Sequence, residues 1–80
     1  MNTDVARMIA VSALRASSEL ANLIPLITTH CSAAESGSVS SDIAEILLQI
    51  SQRLLRPAFE QHPELERELD ERVAVYGRPT

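Results

Sequence analysis

Eighty residues allow one small domain, and a chain this short buries a smaller fraction of its surface than a longer one would. Hydrophobic residues make up 45% of it, yet there is one Phe, one Tyr and no Trp, so Leu, Ile, Val and ten alanines must build the core, which suits close-packed helices and argues against a β-sandwich. Eleven acidic against seven basic residues give a net charge of -4, which excludes a general attraction to nucleic acid or to anionic lipid.

The apolar run from Met8 to Leu14 is too short for a membrane span, and Asp4 and Arg15 bracket it without the pattern of a signal peptide. It belongs instead to a first helix predicted over about residues 4–30. Val5, Ile9, Ala13, Ala16, Leu20, Leu23 and Ile27 recur at about 100° per residue and define its main face. Ala10, Leu14 and Ala21 widen the apolar arc beyond what one neighbour covers. Pro25 lacks an amide proton and crowds the preceding turn, so it kinks or splits this helix near Leu23 and Ile24.

Ser, Thr, Ala and a lone Gly then replace the apolar period, and a loop is expected over about residues 32–40. Asp42 followed by Glu45 resembles a capping box before the next apolar run, which predicts a second helix over about 42–60. Ile43, Ile46, Leu47, Ile50, Leu54 and Ala58 form its main face, while Ala44, Leu48 and Leu55 form a second flank. Pro57 bends or ends it. His62 is biased away from helical angles by Pro63, which itself suits the first position of a third helix over about 63–76. That helix carries one thin apolar stripe, Leu65, Leu69, Val73 and Tyr76, with Gly77 and Pro79 as its stop.

Few residues suggest chemistry. His30 and Cys31 are adjacent, whereas helical metal ligands sit three or four apart, and no CxxC, HxxxH or ExxH pairing exists. Cys31 as a thiolate with His30 or His62 as its base or co-ligand is the catalytic or sensing alternative, and it needs the fold to bring the three together. One cysteine cannot form an internal disulfide, which fits a reducing cytoplasm. The acidic residues Glu60, Glu64, Glu66, Glu68, Asp70 and Glu71 read as a solvated face braced by pairs such as Glu64 with Arg67 and Glu68 with Arg72. Neither Gly37 nor Gly77 belongs to a phosphate-binding loop, and no basic stripe suits a DNA reader.

The expectation is an all-α domain: an antiparallel hairpin of two Pro-kinked helices plus a short C-terminal helix, completing a helical bundle by dimerisation. No enzyme activity, cofactor, metal, nucleic acid or membrane is expected. The surplus apolar surface instead points to a protein-protein interaction module, homodimeric, with Leu48, Leu55, Ala44 and Leu14 as its interface.

Overall fold

The computed structural model of the chain describes residues 1–76, with side chains through residue 71. All regular structure among these residues is helical. Helix α1 spans Thr3–Ala21 and begins at Asn2, whose side-chain carbonyl accepts the Val5 amide at 2.8 Å. This satisfies one of the donors that every helix start leaves open. The helix stops at Asn22, and α2 follows over Leu23–His30. Pro25, the third residue of α2, explains the break. It offers no N–H to the Ala21 carbonyl, and its ring presses on that same carbonyl four residues back. Thr28 and Thr29 continue the helix, and their hydroxyls donate back to the carbonyls of Ile24 and Pro25, at 2.9 and 2.8 Å.

The loop expected over residues 32–40 does not exist. Only Cys31 and Ser32, both extended, connect α2 to α3, which spans Ala33–Ile50. The start signal is a full capping box at Ser32. Its hydroxyl accepts the Glu35 amide at 3.2 Å, while the Glu35 carboxylate takes the Ser32 amide and hydroxyl. The penalties for Ser and one Gly are small per residue, and a well-capped helix extended by a strong apolar segment absorbs them.

Beyond α3 the backbone widens into a π-helical turn, Ser51–Leu55, closed by the Arg56 amide on the Ser51 carbonyl, and then tightens into α4, Arg56–Gln61. Pro57 accounts for this widening, since a regular helix would drive its ring into the Arg53 carbonyl. The extra residue in the wide turn re-phases the helix. Ile43, Leu47 and Ile50 face inward before it, and Leu55 and Ala58 after it, so that Leu54 turns outward. His62, at φ -137° and ψ 77°, breaks the helix before α5, Pro63–Tyr76.

The two helical arms meet at both ends. Beside His62, its Nε2–H donates to the Met1 carbonyl at 3.0 Å, and the Thr3 hydroxyl lies 3.3 Å from its Nδ1 as donor. The Met1 amine donates to Gln61. At the far end α2 packs along α3, with Ser36 and Thr28 hydroxyls 3.5 Å apart. Helix α5 folds back over α4 and α1 of its own chain. Leu65 and Leu69, the largest fully buried side chains, sit in a groove floored by Ala6, Ala10 and Ala58 and walled by Val11, Leu14, Leu55 and Phe59. Alanines suit this position because they let three backbones approach closely and leave room for two leucines. The side chains of Val73 and Tyr76, and the stop expected at Gly77 and Pro79, lie outside the described residues.

Both expected main faces need correction. On α1 the buried strip is Ala6, Ala10 and Ala13, while Val5, Ala16 and the following Leu23 are exposed. On α3 and the π turn, Ile43 is buried but Ile46 and Leu54 are exposed. The apolar pattern cannot choose among arcs of similar hydrophobicity; α5 covers Ala6, Ala10 and Ala58, while Ala13 and Ile43 are buried outside that cluster.

Candidate functional site

Successive residues of α1 turn by about 100°, so Leu14, at the α5 groove, and Ser12 point roughly 160° apart. Arg7 also belongs to the α5 side. Its Nε and Nη2 donate to the two carboxylate oxygens of Glu68 at 2.8 and 3.3 Å, and its Nη1 reaches Asp4 at 2.9 Å. The paired Glu68 carboxylate, and secondarily Asp4, raises the Arg7 pKa above its ordinary value.

The opposite side of α1 is open. There Met8, Ile9, Ser12, Ala13 and Ala16 face Ile50 and Leu54 across a groove of about 450 Å³. Ser12 is the one polar residue in this lining, and Met8, at its lip, is 68% exposed. The apolar surface continues through Val5 on α1 and through Val39 and Ile46 on α3, all exposed. Asp42, Glu45 and Gln49 border Ile46 with polar groups. An apolar centre with a polar margin is the arrangement found where proteins associate.

The four residues expected to form an interface do not share a surface. Leu14 and Leu55 are half-buried, and part of each already packs within the chain against the α5 core. Ala44 and Leu48 are exposed, but Leu48 stands about 160° from Ile46 around α3 and therefore away from the groove. Ile9 and Ala16, which the apolar period places on the main face of the first helix, line this groove instead. The excess width of the apolar arc was the signal that some of it would stay open.

His30, Cys31 and His62 are not brought together. His62 sits beside Met1 and Thr3, whereas His30 and Cys31 follow at the other end of the α1 and α2 arm, of which α1 alone is about 28 Å long. Cys31 is exposed, and His62 has Glu64 at 3.5 Å as a further neighbour. Among the described residues no group of three or more His, Cys, Asp or Glu side chains is placed to hold a metal ion, and no helix is long and apolar enough to cross a membrane. Compared with known proteins, the chain matches no protein family, no curated protein and no solved structure.

Proposed function

We propose that this chain is a non-catalytic protein-protein interaction module, of the adaptor, inhibitor or regulatory-subunit kind, built as an antiparallel helical hairpin with α5 across one side and working as a homodimer. The observation that carries this reading is the apolar groove between α1 and α3, left open on the side opposite α5. A small domain gains stability by covering such a surface, and a partner helix supplies the matching apolar face. The separation of His62 from His30 and Cys31 favours this reading over a catalyst or sensor built on those three residues. Sedimentation equilibrium at micromolar concentration tests it. A dimer that Met8→Glu dissociates, with the helical signal intact, is the expected result. A strict monomer that retains no partner on native capture overturns the reading.

A further inference from the structure

We infer that the surface seated on the open groove is the same surface of a second copy, its α3 running antiparallel to the first; this rests on the interaction reading above and specifies its partner and orientation. On the open side Met8 is 68% exposed, Ile46 47% and Leu54 45%, large apolar side chains that the chain itself leaves uncovered. Helix α5 packs on the other side, against Ala6, Ala10 and Ala58, so the open side that carries Met8, Ile46 and Leu54 lacks a covering layer. A second copy laid face to face supplies that layer to both at once, as a two-fold interface does.

Charge sets the direction. Along the groove side of α3 and the π turn, Asp42 stands at one end and Arg53 at the other, with Ile46 and Ile50 between them. Parallel superposition of two such faces places Asp42 on Asp42 and Arg53 on Arg53. Antiparallel superposition places each Asp42 opposite the partner's Arg53, twice, and brings Gln49 near the two-fold axis. Arg53 in the single chain donates to Gln49 and is otherwise exposed, so it is free to turn toward an approaching carboxylate. On α1, the exposed Ser12 and Ala16 lie toward the middle of the same face, and their small side chains let the two layers approach closely.

The test uses the full chain with Cys31→Ser as background. Asp42→Arg and Arg53→Asp should each weaken dimerisation by about tenfold, because each turns two attractive pairs into repulsive ones, and the double reversal should restore it to within about threefold. Gln49→Cys should form a disulfide-linked dimer on mild oxidation. All three positions are solvent-accessible, so circular dichroism should remain that of the unmodified chain. A dimer that Leu48→Glu dissociates, and that neither links through Gln49→Cys nor responds to the charge reversals, overturns the inference while leaving the interaction reading intact. A chain that is monomeric throughout overturns the inference as well, and native capture then decides the interaction reading separately.

Discussion

Arg7 of α1 and Glu68 of α5, sixty-one residues apart in the chain, face each other through two charge-assisted hydrogen bonds, at 2.8 and 3.3 Å. The two-pronged geometry holds α5 in one register over the buried leucines, since a shift of one residue along either helix would break both prongs. The guanidinium pKa is raised in the fold, so the share of stability that depends on Arg7 is fully present at neutral pH and falls as pH climbs through the guanidinium's own range, while the pair itself also requires an ionised Glu68. In a double-mutant cycle of Arg7→Met and Glu68→Gln followed by urea unfolding, the coupling should be favourable and should shrink with added salt. Zero coupling at low salt would mean that the leucines alone fix the register.

Leu65 and Leu69 carry α5. Each is almost wholly removed from solvent, at 0% and 2% exposure, against alanines that cannot expand to fill a vacancy. Leu65→Ala or Leu69→Ala should cost about 2–5 kcal/mol, a large share of the stability of a domain this small. Truncation after Gln61 removes both and should leave a chain that melts far lower or aggregates. A cooperative melt unchanged by the truncation would show that α1, α3 and α4 hold together without α5.

The start of α3 offers paired changes of opposite sign. Ser32→Ala deletes the capping hydroxyl and should cost about 1 kcal/mol. Gly37→Ala should stabilise by about 0.4–1 kcal/mol, because nothing lies within 4 Å of the added methyl group and the unfolded chain loses freedom. Thermal melts of the two variants, on opposite sides of the parent, are the check. If Gly37 instead sat at a positive φ in a turn, Gly37→Ala would destabilise the protein.

Cys31 lies exposed in the two-residue link between α2 and α3. A thiol reagent should therefore label the native protein to one equivalent without denaturant, and Cys31→Ser should leave the melting temperature unchanged. Resistance to labelling until the protein unfolds would place the thiol in a contact of some other kind.

The helical class and the breaks at Pro25 and Pro63 were legible because proline and apolar spacing act locally. The stretch from Ser32 to Ser40 was misread for a reason of weighting. Its Ser and Gly content suggests a turn residue by residue, but Ser32 and Glu35 hold the reciprocal cap that starts a helix, and Ile43 onward supplies the packing that sustains it. The partition of apolar residues between core and groove was not legible. Ala6 and Ala10 are chosen for the centre by their small size, which matters only once α5 lies across them. The pairing of Arg7 with Glu68 has no local signature at all, since the spacing of Glu68 and Arg72 already accounted for that carboxylate within its own helix.

The π turn at Ser51–Leu55 behaves as one surplus residue threaded into an otherwise continuous rod. A chain lacking one residue between Ile50 and Arg56 would present the same inward side chains on either flank of the gap, now in an unbroken helix. Pro57 would then strike a carbonyl at regular helical spacing, so that deletion is tolerated only together with replacement of the proline. Kin of this protein should accordingly fall into two kinds, one with both the additional residue and the proline and one with neither, and an alignment that forbids a gap at this place would misregister everything after Ile50.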